Sequence, residues 1–197
     1  MRAFVLLALK AKTTPDFDLL DLPGSGGRMD EVCRCVSSAL FLAGRLRQDS
    51  SIHCCLQGPA SPPKVLSFFG STIRGLRPDE VSIAKMIRGA LAKGLGLTLG
   101  QEVKVQEGIV VAKRAFEAQL RALNGQLLYL HPKGEDIRSA QLGPAPVFIL
   151  GDQIGLPRKE ELFLERLGAK RISVGPQLYH ASHVITLCHN ELDRRGL

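Results

Sequence analysis

The stretch VFILGDQIGLPRKEELFLERLGAKRISVGPQLYHASHVITLCHNELDRR, residues 147–195, alternates two kinds of segment. A short apolar run meets a glycine loop, GDQIGLP. A helical pattern closed by Gly168 follows, and RISVG then opens the same succession again. Upstream, GQLLYL from Gly125 leads into HPKGED and begins the series. Repetition of strand, loop and helix predicts an α/β fold with a mainly parallel sheet flanked by helices. No composition break, internal repeat or low-complexity tract interrupts the chain, so a single domain over residues 1–197 is expected.

The N-terminal half fits the same scheme. Residues 2–9 form an apolar run suited to a buried strand. After the turn-rich DLPGSGG comes RMDEVCRCVSSALFLAGRLR, residues 28–47, where Val32, Val36, Leu40 and Ala43 recur at helical spacing. The spacing predicts one helix carrying Arg28, Arg34, Arg45 and Arg47 on its other faces. IHCCL and KVLSFFG read as strands divided by GPASPP. The polar STIRGLRP leads to a helix opened by Asp79 and Glu80. A second basic helix is expected over residues 112–123, and the glycine-rich GLGLTLGQEVKVQEGIV reads as a surface excursion.

A hydrophobic fraction of 45% is ample for a core. The formal charge of +7 favours an anionic partner such as nucleic acid. The apolar stretch at residues 3–9 is too short to span a bilayer and lacks a cleavage pattern, so a soluble, unexported protein is expected. Cys33, Cys35, Cys54, Cys55 and Cys188 make an odd count without zinc-knuckle spacing, which points to reduced thiols in a cytosol.

Ligands of open α/β sheets sit beyond the carboxyl ends of strands, and three loops there carry glycine, around Gly134, Gly151 and Gly175. The absence of charge in SVGPQL suggests recognition by main-chain groups, suited to an adenine ring or a neutral amide. Each glycine taken alone also fits a plain tight turn. No G-x-G-x-x-G follows a strand and no phosphate-binding P-loop occurs. His180 and His183 have the spacing of a metal pair but no carboxylate completes a set, so solvated or capping histidines and no metal are expected. In RGLRPDE, Arg74 and Arg77 beside Asp79 fit a phosphate clamp with a proton-handling carboxylate. From the residues alone a helix N-cap with solvated arginines is the preferred reading of the two.

Several long motifs in order, DLPGSGGRMDEVCRCVSSALFL, RPDE, YLHPKGEDI, PVFILGDQIG and AKRISVGPQLYHASHVITLCHNELD, resemble the archaeal tRNA pseudouridine N1-methyltransferases of the SPOUT superfamily over nearly the whole chain. The resemblance implies a C-terminal trefoil knot, a homodimer and a cytoplasmic enzyme. It also implies methyl transfer from S-adenosylmethionine to N1 of pseudouridine 54 in the T-loop of tRNA. Carried over by motif, Leu130, Gly151, Val174, Gly175, Pro176, Gln177, Leu178, Tyr179 and Val184 would line the cofactor pocket.

On the same footing Asp79, then Asp30, are candidates to orient the base and handle its N1 proton. Arg77 and Arg74 would lie near the base and its phosphate, with Arg28, Arg34, Arg45 and Arg47 along the RNA backbone. Gln153, Ala43-Gly44 and Val184 depart from residues the family often carries. Val184 and Gln153 leave open a non-catalytic RNA-binding SPOUT protein, and a related SPOUT enzyme acting on rRNA pseudouridine is a further alternative.

Overall fold

The strand at Arg2–Ala8 (β1) is buried along its whole length. Side chains of a strand alternate between faces, and here each face has its own core. Phe4, Leu6 and Ala8 join one cluster, while Ala3, Val5 and Leu7 join a second. The apolar run read from the sequence is thus the central strand of a two-sided sheet.

The computed structural model describes residues 1–197. After β1 come a helix at Met29–Leu40 (α1), a small hairpin at Phe41–Leu42 (β2) and Arg45–Leu46 (β3), and strands at Ser50–Leu56 (β4) and Lys64–Phe69 (β5). A helix at Glu80–Lys93 (α2) precedes strands at Glu102–Gln106 (β6) and Ile109–Ala112 (β7) and a short helix at Phe116–Arg121 (α3). The C-terminal half holds Gln126–Asp136 (β8), Pro146–Gly151 (β9), Arg158–Arg166 (α4), Lys170–Ser173 (β10) and Ala181–Arg195 (α5).

Eight strands form one sheet in the order β10-β8-β9-β1-β4-β5-β7-β6. The pairings from β10 to β4 are parallel, as the strand, loop and helix pattern requires. Beyond β4 the sheet turns antiparallel through β5, β7 and β6. Residues of α1, α2 and α5 cover one face and residues of α3 and α4 the other. No helix is long and apolar enough to cross a membrane.

Three expected boundaries differ. The helix expected over residues 28–47 ends at Leu40, because Phe41 adopts extended backbone (φ −103°, ψ 141°) and the chain folds into the β2–β3 hairpin. Gly44 supplies the positive φ of 77° that this turn needs. Arg45 and Arg47 therefore do not belong to that helix. The basic helix expected from residue 112 begins at Phe116, since Ala112 is committed to β7. The glycine-rich excursion is the β6–β7 hairpin at the sheet edge.

The chain runs closely against itself where β10 pairs with β8. Their register runs Arg171 with Tyr129 and then Ile172 with Glu135, so residues 130–134 bulge outward. The Ile137 N–H returns to the Ser173 carbonyl at 2.8 Å. Gly134 is the point of closest approach: a Cβ there would stand 2.5 Å from the backbone N and C of Ile172. Gly134→Ala should cost about 1–3 kcal/mol in urea unfolding, the scale of overpacking. Gly143→Ala, whose Cβ meets nothing nearer than 3.5 Å, should stay near wild type.

Candidate functional site

The carboxyl ends of β8, β9 and β10 meet around a cavity of about 550 Å3. Its walls are the bulge at Leu130, His131 and Pro132, the loop at residues 151–156, and the segment from Ser173 to Ala181. Open parallel sheets place their ligands at this end, because strand ends and helix starts leave peptide groups unpaired.

Each wall is shaped by a local necessity. A Cβ on Gly151 would lie 2.5 Å from the carbonyl carbon of Gly155, so the 151–155 turn closes only on glycine. Asp152 fastens that turn to the end of β1. Its N–H donates to the Leu7 carbonyl at 3.0 Å, and its carboxylate accepts from the N–H groups of Leu9 (2.8 Å) and Ile154 (2.9 Å). In the third wall Gly175 has φ 140°, and its N–H donates to Ser173 Oγ at 3.3 Å. Leu178 projects outward, 85% exposed.

Of the residues expected here, Leu130, Gly151, Val174, Gly175, Gln177, Leu178, Tyr179 and Val184 all line the cavity, and Pro176 does not. Gly134 serves the close approach of β8 to β10 and is no part of the lining. Cys188, one turn beyond Val184, points into the core, where burial pushes its thiol well above the usual range. His180 and His183 pack edge to face at 5.5 Å without a third metal-binding group beside them.

The charge of the lining could not be read from the loops. It carries Glu31, Asp152 and Glu161, and no lysine or arginine. Glu161 accepts from the Tyr129 hydroxyl at 2.9 Å and from Arg158 at 3.3 Å, and the Tyr129 bond leads in holding it below its ordinary range. Glu31 is buried in α1, and burial first, Asp152 second, push its carboxyl upward.

On the adjoining side of α1, Asp30 binds Arg28 through both oxygens (3.1 and 3.2 Å) and Arg34 at 2.7 Å. Burial opposes its charge, yet the two guanidinium groups prevail and keep Asp30 below the carboxylate range. With both oxygens engaged it anchors arginines and is poorly placed to take a proton. Arg34 continues to Glu80 at 3.2 Å, and Ser37 Oγ donates to the Pro78 carbonyl at 3.1 Å. At 1.5 Å rise per residue, Ser37 lies roughly 9 Å along α1 from Glu31. The RPDE segment is thereby held against α1, between about one and two turns along the helix from Glu31.

Asp79 is the N-cap of α2, accepting from the Ser82 N–H at 2.8 Å, and is exposed. The capping bonds lower its pKa. Arg74, Arg77 and Arg45 are exposed without carboxylate partners, as is Lys85 on α2, which the sequence reading passed over. Arg47 overturns its expected role: it is buried, with Nη1 3.0 Å and Nη2 2.5 Å from the Asp193 carboxylate. It ties α5 to the body of the protein and cannot face RNA.

Residues 1–197 match the family model described as "Putative SAM-dependent RNA methyltransferase". The chain belongs to this family. Among its relatives are proteins named tRNA (pseudouridine(54)-N(1))-methyltransferase. That of Methanocella arvoryzae is 43% identical over 99% of this chain and 100% of its own length. That of Methanosarcina mazei is 46% identical over 98% and 92%, and that of Methanocaldococcus jannaschii 40% over 100% and 98%. The fold also matches the crystal structure of Archaeoglobus fulgidus Nep1 bound to S-adenosylhomocysteine, with a TM-score of 0.66 at 16% identity over 99% of both chains.

Because Arg47 is engaged with Asp193 and Arg45 is free, Arg47→Ala should lower unfolding stability by about 1.5–3 kcal/mol, the value of hydrogen bonds to a charged group. Arg45→Ala should stay within about 0.5 kcal/mol of wild type. Denaturant titration of the two variants separates them.

Proposed function

We propose that this protein transfers a methyl group from S-adenosylmethionine to N1 of pseudouridine 54 in the T-loop of tRNA. The observation that carries the reading is a cavity walled by the three strand-end loops in a chain that aligns end to end with relatives of that name. The cavity fits the cofactor on its own terms. Its volume suits a ligand of that size, its loops offer main-chain groups to an adenine, and its carboxylates suit a cation.

The cofactor supplies an already electrophilic methyl on a sulfonium, so the protein's work is placement. Leu130, Gly151 and the segment from Val174 to Tyr179, apart from the outward-lying Pro176, hold the donor at the strand ends. Val184 adds an apolar wall at the start of α5. Asp79 accepts from the imide side of the base, orients it and favours loss of the N1 proton. The guanidinium groups of Arg74 and Arg77 sit beside it for the base and its phosphate. Arg45 and Lys85 extend the cationic surface toward the RNA backbone, while Arg28 and Arg34, fixed by Asp30, stiffen the ground between the two sites. The base must leave its stack to be reached.

The reading includes a homodimer, supported by Leu178 and Ile154, which stand 85% and 52% exposed at the mouth of the cavity and would be covered by a second copy. It includes the knot, supported by the close approach of Gly134 to Ile172 and by the bonds from Arg195 of α5 to the carbonyls of Ile137 and Ala140. A cytoplasmic location accords with a tRNA substrate and five buried free thiols.

Mass spectrometry of tRNA from a deletion strain tests the reading. Loss of 1-methylpseudouridine from the T-loop supports it. Unchanged tRNA with altered rRNA would assign the chain to rRNA, and no altered nucleoside would make it a binding protein that Val184 and Gln153 have disabled.

Two variants test the division of labour. Asp79→Asn retains a capping side chain, so it should slow methylation at least tenfold with little loss of stability and with cofactor affinity unchanged by calorimetry. Gly175→Val, at a φ unsuited to a β-branched residue, should abolish cofactor binding. The reverse pattern would show the two sites exchanged.

A further inference from the structure

Two of the three carboxylates on the cavity wall are already held. Asp152 accepts two backbone N–H groups, and Glu161 accepts from Tyr129 and Arg158. Glu31 differs. Its side chain is 7% exposed, and although the Gln153 peptide N–H offsets part of the burial of the carboxyl, its Oε2 has no hydrogen-bond partner. The nearest cation, the Arg28 guanidinium, stands 3.9 Å away, beyond hydrogen-bond reach and engaged with Asp30. A buried carboxylate oxygen left this way is costly unless something completes it. No lysine or arginine lines the cavity to do so.

We propose that Glu31 is the residue by which the cavity tells the cationic methyl donor from its neutral product. The inference rests on the S-adenosylmethionine reading above. In the transfer the S–CH3 bond breaks and the N1–CH3 bond forms. The bonding pair stays on sulfur, which becomes a neutral thioether, and the N1 proton is released. Donor and product share an adenosine, an ammonium and a carboxylate. The sulfonium charge is therefore the largest electrostatic difference between them. A desolvated carboxylate facing that charge attracts the donor and loses its partner once the methyl has gone, which favours release of the product.

The common groups cancel when affinities for donor and product are compared as a ratio. Calorimetric titration of the full protein with S-adenosylmethionine, S-adenosylhomocysteine and sinefungin, which carries an amine where the donor carries its methyl, reads that ratio directly. Glu31→Gln should lower the ratio of product Kd to donor Kd about tenfold, and sinefungin should weaken together with the donor. Glu31→Asp, which keeps the charge, should retain most of the wild-type ratio. Glu161→Gln should move it less than about twofold, since that carboxylate is already neutralised. The melting temperature of Glu31→Gln should equal or exceed that of wild type, because an unpartnered carboxylate is removed.

Equal weakening of donor and product, an unmoved ratio, or the same shift in Glu161→Gln would overturn the assignment while leaving the methyltransferase reading intact. A wild-type protein that binds none of the three ligands would overturn both.

Discussion

The segment between Ser173 and Ala181 has no regular structure of its own, so its shape is set by where it is fastened. One end is β10, held against the bulged strand β8. The other is α5, which lies against α1 through Ile185, Cys188 and Leu192. That apolar contact is fixed in register by a polar cluster at the far end of the helix. Asp193 accepts from Arg2 at 2.8 Å and from Arg47, bonds that hold its carboxyl down to about 2, with Arg47 contributing most. His189 completes the cluster: Arg2 donates to Nδ1, so Nε2 carries the hydrogen that meets the Ala39 carbonyl at 3.0 Å. Burial, then Arg47 and Arg2, push this histidine down to about 3 and keep it neutral. The cavity wall thus depends on a lock more than ten residues away along α5.

The same dependence explains which parts could be read in advance. Period and turn chemistry are local, so the last two strand-loop-helix units, the central strand β1 and the loops that line the cavity were legible, whereas the first unit has no helix: HPKGED, read as a loop, continues β8, and β9 follows it directly. The end of α1 was not legible either. Val32, Val36 and Leu40 are buried as the spacing requires, but Ala43, which continues it, sits exposed in the β2–β3 turn. What ends the helix is pairing of Phe41 with Leu46 and capture of Arg47 by a residue 146 positions away. No local pattern encodes either. Gly134 failed for a related reason: its sequence setting is that of a turn, whereas its necessity comes from the backbone of Ile172 passing beside it.

A chain with a formal charge of +7 surrounds its cavity with three carboxylates and no lysine or arginine. The division follows from α1. Successive residues on a helix point about 100° apart, so Asp30 and Glu31, neighbours in sequence, serve different neighbourhoods. Asp30 collects Arg28 and Arg34 on the side toward α2, and Glu31 turns into the cavity. If both acids faced the cavity, their repulsion would add to that of Asp152, which already pushes the Glu31 carboxyl upward. If both faced the arginines, the cavity would keep only Asp152 and Glu161, both already engaged in hydrogen bonds.

This arrangement lets two ligands of opposite sign meet at one place. The exposed Arg74, Arg77 and Lys85 present positive charge to solvent, where a polyanion approaches. On the reading proposed above, Arg28 and Arg34, bound by Asp30, add positive charge between those side chains and the acids that would favour the donor. Reaction then removes the donor's charge from the acidic side without altering the basic side. The product's hold on the cavity weakens while the grip on RNA stays the same, so departure of the spent cofactor and departure of the RNA are governed by separate groups of residues.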